Sequence, residues 1–487
     1  MLNFPILYLS RGGETEKRSA EKRGSKIPVR KRSLVRFRQA FAHKLNVQGS
    51  NVKVILFLFA NLKIMTMETE AHRQKVSTPR PLTVSIVGAG LGGLAAAVAL
   101  RQNGHQVQVF EAASDAKDNI GAAIIVPVNA QRVLEYIGYV PENIDPVAYE
   151  GTEAFDSLAN ESIPGRWLIP LEKPNLMCHR GDLHAELLRL ATEPGASAGP
   201  PVTVRVSSRV VGCDPAQGSL KLECGDEILS DLVIGADGIG SFIRTSIVGE
   251  PVPSLSSGWS CSRAVIDMDA VRAAPELAWI TEGISGARIV SRRRNGPTGV
   301  AVQFLYPIRG GRELNWAGVY SDDRHEDPDW LPWSPRATIE DIYSSFQPQY
   351  RKLLSLLPAD PATIPKWQMR YVPLLPTWIR GRAALMGDAA HATLPILGQG
   401  AAIAIEEAGA LGALFPAGTK AEDVEVRLKI YEALRKERGE WVGRESVEQA
   451  MVKEKMRLFY RTKEMQEFIF NHDAIKTAQE ALVASSG

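Results

Sequence analysis

Cysteine is scarce in this chain, and none of it is arranged for chemistry. The 487 residues contain Cys178, Cys213, Cys224 and Cys261, with no CxxC and no Cys/His spacing. That pattern excludes a zinc framework or a disulfide scaffold and fits a reducing compartment. Long apolar runs are missing too: "VKVILFLFANLKIM" (52–65) is too short and too lysine-marked to span a bilayer, so membrane association is not expected. Strong net charge is also absent. The formal +2 divides into twelve Lys and Arg against three Glu in residues 1–50, and 45 basic against 52 acidic residues in the remainder. A mildly acidic body argues against nucleic acid as a partner. No nucleophile, metal cluster or paired-carboxylate pattern stands out. With 45% hydrophobic and 23% charged residues, the chain can bury a large core in two or more domains.

The first 80 residues form a basic extension. Their Arg, Lys and Ser resemble a mitochondrial transit sequence, whereas Glu14, Glu16 and Glu21 do not. The expectation is that translation starts near Met65 or Met67 and that the protein is cytoplasmic; a targeting or anchoring role for the extension is the alternative.

Strong periodicity begins at "PLTVSIVGAGLGGLAAAVALRQNGHQVQVFEAA" (81–113). Val84 to Val87 read as a short apolar strand, Gly88-x-Gly90-x-x-Gly93 as the turn, and Leu94 to Gln102 as a helix. A second strand, Gln106 to Phe110, ends in Glu111, 21 residues after Gly90. GxGxxG alone is weak evidence, but in strand–turn–helix–strand order with a terminal acid it marks a Rossmann-like dinucleotide site. The first glycine makes the turn, the second admits the pyrophosphate, the third packs helix on sheet, and Glu111 accepts ribose hydroxyls. The dinucleotide is NAD(P) or FAD, and only one such fingerprint occurs.

Three further stretches narrow the reading. "MCHRGDLHAELLRLA" (177–191) places Arg180 before an amphipathic helix, where it can bond phosphate or flavin oxygens or simply lie on the surface. In "SDLVIGADGIGSFIR" (230–244), Asp237 is either a turn and helix cap or the orienting partner of Arg180. "RAALMGDAAHATLPILGQGAAIAIEEAG" (382–409) delivers Asp388 from a strand and then opens a helix at Gly398 to Ala401. Such a helix start offers unpaired N–H groups and partial positive charge to an electron-rich partner. His391 reads as support for this loop.

With GAGLGG plus Glu111, the Asp237-Gly238 stretch, and Gly387-Asp388 with its GQGAA continuation, the sequence resembles the single-component (class A) flavin monooxygenases, particularly the fungal salicylate hydroxylase-like branch. The resemblance spans about residues 82–475. It implies FAD, with Glu111 on the ribose, Arg180 near the pyrophosphate, Asp388 on the ribitol, and Gly400 and Ala401 directing N–H groups at the flavin. It also places Ala123, in "GAAIIVPVNAQRVLEYIG" (121–138), beside the ring, although the family more often has Gly at position 123 and Pro at position 128. NADPH or NADH would be co-substrate, and oxygen from O2 would reach a small aromatic substrate through a flavin C4a-hydroperoxide. Related readings are a flavin epoxidase or a decarboxylating hydroxylase of secondary metabolism; a reading from another class is a non-catalytic FAD-binding sensor.

Alternating segments in 259–320 read as an antiparallel sheet that roofs the flavin. By resemblance, Arg263 and Tyr306 match residues that orient a phenolate; the alternatives are a structural ion pair for Arg263 and sheet packing for Tyr306. "SRRRNG" (291–296) reads as a solvated hairpin, with attraction of the NAD(P)H phosphates as the alternative, and 421–475 as charged helices with Trp441, Met451 and Met456 as packing residues. The expected architecture is α/β: a discontinuous Rossmann-like FAD-binding domain (81–155, 176–258, 373–420), an inserted antiparallel-sheet substrate domain (156–175, 259–372) and a C-terminal helical segment (421–487), acting as a monomer or homodimer.

Overall fold

The computed structural model describes residues 80–115, 123–159, 169–291, 299–324, 326–359, 364–452 and 461–485, and the backbone of 162–167. The expectations for the basic extension, for the SRRRNG turn beyond its first residue and for Met456 fall outside the described residues.

Parallel pairing accounts for the apolar strands that bracket the glycine motif. Thr83–Val87 lies between Leu232–Gly235 and Gln106–Phe110, with Val84 facing Leu232 on one side and Val107 on the other. Ala383–Leu385 and Thr203–Arg205 extend this sheet in parallel, and Ile379–Arg380 closes one edge antiparallel. Central strands covered on both faces read as continuous hydrophobic runs, as "LVIG" and "AAL" do here. The sheet is therefore α/β and doubly covered, as the glycine motif predicts.

Small residues bring two helices close together beside the sheet. Leu91–Gln102, rich in alanine, packs along Gly400–Leu414. A Cβ on Gly412 would lie 2.8 Å from the Ala99 Cβ, and one on Gly92 would lie 3.0 Å from the Ala404 Cβ. Thus many of the small residues in "GAAIAIEEAGALGAL" serve helix packing, while those at its start remain free for another task.

A seven-stranded sheet carries the second layer. Its order is Lys366–Tyr371, Leu255–Asp267, Glu313–Ser321, Ala301–Ile308, Ala287–Ser291, Gly151–Asp156 and Ser162–Trp167, antiparallel except where Ala287–Ser291 runs parallel to Gly151–Asp156. Trp316, Leu305, Tyr343 and Leu353 fill a separate core on one face. The opposite face looks toward Leu394 and Ile396, in the loop ahead of the Gly400–Leu414 helix.

Among the described residues, the last three helices are Val424–Met451, Lys463–Phe470 and Ala474–Ser485. Trp441 packs on Phe468 at 4.5 Å between ring centroids, as its reading requires. Met451 does not pack: at the last turn of its helix it is 42% exposed. Among the described residues, no helix is long and apolar enough to cross a membrane.

Candidate active site

The three glycines of the first turn do three different things. Gly88 has φ +105°, and a Cβ there would sit 2.3 Å from the Ala236 carbonyl oxygen. A Cβ on Gly93 would meet the Gly88 oxygen at 2.1 Å, so this glycine lets the helix close on the turn. Gly90 caps the helix with no side-chain bond, and a Cβ there would meet nothing within 4 Å. Open space above an uncapped helix start is a cradle for an anionic group.

Glu111 braces that turn. Its two carboxylate oxygens accept from the Ala89 and Ala113 N–H groups at 2.9 and 2.8 Å, and each keeps a lone pair for a ligand hydroxyl. His184, which the sequence reading missed, adds a 2.7 Å contact from Nε2 to the Ala89 carbonyl. Its position one turn after Arg180 on the same helix was the available signal. Gly88, Gly90, Glu111 and Asp237 share a groove of about 270 Å³, with Ser208 and Arg209 on its far wall.

Asp237 takes the capping role rather than the pairing one. Its oxygens accept from Ser241 Oγ at 2.5 Å and from the Phe242 and Ile243 N–H groups at 2.7 and 3.1 Å, which starts the Phe242–Val248 helix. The alternative Asp237–Arg180 hydrogen bond is absent from this set, in which three local donors occupy the carboxylate. Arg180 instead opens the Arg180–Thr192 helix and has Asp388 as its attracting charge. Burial and nearby Arg263 both lower its proton affinity.

A second cavity, of about 330 Å³, gathers Ala123, Arg180, Arg263, Tyr306, Asp388, Gly400 and Ala401. The elements that supply them differ. Ala123 begins the Ala123–Val126 strand, paired with His179, and its N–H reaches Asn315 Oδ1 at 3.3 Å. Asp388 follows Gly387, whose φ of +58° lets its N–H turn onto Glu407 at 2.7 Å. Although exposed to the cavity, Asp388 lies deep in the protein; burial pushes its carboxyl up while His391 and Arg180 pull it down. His391 is buried against Trp378 and bonds Glu407 at 2.8 Å. Burial opposes its charging, but Glu407 outweighs that and holds its proton affinity above the ordinary value. It supports the loop and lies outside the cavity lining.

The Gly400–Leu414 helix opens on this cavity without a side-chain cap. Its preceding residue, Gln399, is buried and accepts from Asn129 at 3.2 Å; Asn129 also donates to Glu406 at 2.6 Å. Glu406 is gripped by Arg435 at 2.6 Å and by Arg438 at 2.8 Å through both Nε and Nη2. A charge network from the C-terminal helix thus fixes the helix start, and nothing local in the sequence announced it.

Arg263 and Tyr306 come together on the roof. Arg263 stands on Leu255–Asp267 opposite Ala317, with its guanidinium 5.7 Å from the Trp367 ring centre. Among the described residues no carboxylate pairs with it. Tyr306 is 5% exposed and edge-on to Phe304 at 5.3 Å, and its hydroxyl has no hydrogen bond among the described residues. Burial pushes that hydroxyl well above the usual tyrosine range, with Arg263 pulling the other way, so it keeps its proton. Ile289, Phe304, Val319 and Leu394 supply an apolar wall. Arg461 also reaches this cavity, and the sequence reading missed it.

The family described as FAD binding domain matches residues 81–446. The chain is 39% identical to hispidin-3-hydroxylase of Neonothopanus nambi over 422 residues, covering 82% of this chain and 96% of that one. It is 33% identical to the FAD-dependent monooxygenase cfoG of Aspergillus candidus, covering 73% and 82%. Among solved structures, a salicylate hydroxylase substrate complex has the same fold, with TM-score 0.65, 22% identity, and 82% and 98% coverage.

Proposed function

The chain belongs to the FAD binding domain family and is an FAD-dependent aromatic monooxygenase consuming NAD(P)H and O2; from that premise we propose how its residues hold the cofactor and aim a phenolic or enolic substrate. Glu111 would accept the adenosine ribose hydroxyls, and the open cradle at Gly90, with Arg180 from the neighbouring cavity, would hold the pyrophosphate. Gly88 and Gly93 shape that turn, and Asp237 fixes its wall. Asp388 receives a ribitol hydroxyl, and Ala123 flanks the ring. Gly400 and Ala401, at an uncapped helix start, line the cavity, where a helix dipole would stabilise negative charge without reorganising. We divide the chain accordingly, with the strands 151–156, 162–167, 255–267, 287–291, 301–308, 313–321 and 366–371 in the substrate layer, because they share one sheet.

The observation that carries the substrate assignment is a half-buried arginine with no carboxylate partner among the described residues, next to a tyrosine that keeps its proton, in the same cavity as the uncapped helix start. Bound FAD supplies electron transfer from NAD(P)H and activation of O2. Arg263 favours the ionised form of a substrate hydroxyl through a charge-assisted bond, and Tyr306 donates to the same oxygen. An ionised hydroxyl enriches the ring carbons beside and opposite it in electrons, which prepares them to accept oxygen. Ile289, Phe304 and Val319 keep water away from the reacting face. Four unpaired cysteines support a cytoplasmic setting.

The test is NADPH and NADH oxidation with and without hispidin, salicylate, 3-hydroxybenzoate and phenol, using isotopically labelled O2. The reading expects at least about tenfold stimulation by one hydroxylated aromatic and one labelled oxygen in its product. Stimulated oxidation that yields only hydrogen peroxide across the panel would overturn the substrate class.

A further inference from the structure

Arg461 enters the cavity from the segment between the Val424–Met451 and Lys463–Phe470 helices. Its Nη2 donates to the Leu397 carbonyl, its Nε is buried with no hydrogen-bond partner, and Cζ lies 5.9 Å from the Phe470 ring centre. Among the described residues no carboxylate pairs with it. Buried arginines in the described residues have more partners: Arg435 and Arg438 share Glu406, Arg101 donates to the carbonyls of Leu190, Ala191 and others, and Arg244 donates to those of Ile239, Val252 and Ala389, whereas Arg461 has the Leu397 carbonyl alone. A guanidinium carries five donors in a fixed fork, and leaving it unmatched away from water is costly.

The two roof and floor cations also have different surroundings. Arg263 neighbours Tyr306, Cys261 and the Trp367 ring. Arg461 lies by Leu397, and a Cβ on Gly398 would come within 3.3 Å of its Nη2. Burial lowers its proton affinity, and the Tyr149 hydroxyl only partly offsets this.

We propose that Arg461 receives a second anionic oxygen of the substrate, a carboxylate or ionised enol, remote from the hydroxyl held by Arg263. The enzyme thereby selects aromatic substrates with two acidic groups. This rests on the substrate role of Arg263 given above, but the site can fail separately.

Calorimetric titration of the FAD-loaded protein with 3-hydroxybenzoate and with its uncharged relative 3-hydroxybenzamide decides it. Wild type should prefer the carboxylate by about tenfold, the scale of one charge-assisted bond. Arg461→Gln should erase the preference by weakening only 3-hydroxybenzoate, Arg461→Lys should keep part of it, and FAD content should not change. Equal or undetectable binding of the two probes by wild type, or equal weakening of both by Arg461→Gln, overturns the assignment. A preserved carboxylate preference without any substrate-stimulated NAD(P)H oxidation would instead sink the proposed function and leave this site standing.

Discussion

The two helix starts that frame the cofactor site reach the same end by opposite means. At Gly90 the turn is built from backbone: Gly88, Gly93, Glu111 and the Ala89 peptide hold it within one strand–helix–strand unit, with His184 as an outside brace. At Gly400 the start is held by side chains, through Gln399 at its cap, Glu406 of the same helix, Asn129 of the Val128–Tyr136 helix, and Arg435 and Arg438 of the Val424–Met451 helix. Backbone devices leave a local spacing in the sequence. Charge networks leave none, because any of several positions along a long helix could have supplied the arginines.

The largest effect should come from the side-chain device. Arg438→Met leaves the buried Glu406 short of a partner, which costs about 3–5 kcal/mol when a buried pair is broken. Denaturant unfolding should show that loss, together with release of FAD. The same network sets an acid limit. Burial raises the Glu406 carboxyl, but Arg435 and Arg438 outweigh it and hold it at about 2, so its contribution is full above about pH 4.5 and lost toward 2. His472, whose Nε2 accepts from Arg435 at 3.0 Å, is depressed by burial to about 4, which makes stability fall as pH drops from about 6.5 to 4, since the unfolded chain binds that proton first. A stability profile flat from pH 7 to 4 would contradict this account of the network.

The backbone device predicts a sharper split between neighbours. Gly93→Val forces a side chain onto the Gly88 oxygen, so the apoprotein itself should unfold more easily, by about 2 kcal/mol or more. Gly90→Val meets open space at an ordinary φ of −71°, so the apoprotein should lose no more than about 1 kcal/mol from a poorer helix cap. FAD retention should nevertheless collapse in Gly90→Val. Thermal unfolding with and without added FAD separates the two variants, and retained FAD in Gly90→Val would show that the cofactor does not cross there.

The same contrast explains what the sequence made legible. The Thr83–Val87 and Gln106–Phe110 strands, the glycine turn between them and the Gly387-Asp388 stretch were readable because each depends on neighbours a few residues apart. Asp237 was ambiguous because Asp before Gly serves caps and ion pairs alike, and only the Ser241, Phe242 and Ile243 donors decide between them. Arg461 and the partners of Glu406 were invisible because folding, rather than spacing, brings them to the site. Met451 was misjudged because an apolar residue at a helix end need not face the core.

The smallest structural change should test the central claim most directly. Arg263 is held here to orient an ionised substrate hydroxyl, not to support the sheet. In Arg263→Met, the ratio of oxygenated product to NAD(P)H consumed should fall about tenfold or more, while FAD content and unfolding stay near wild type. Wild-type coupling in that variant would contradict the account.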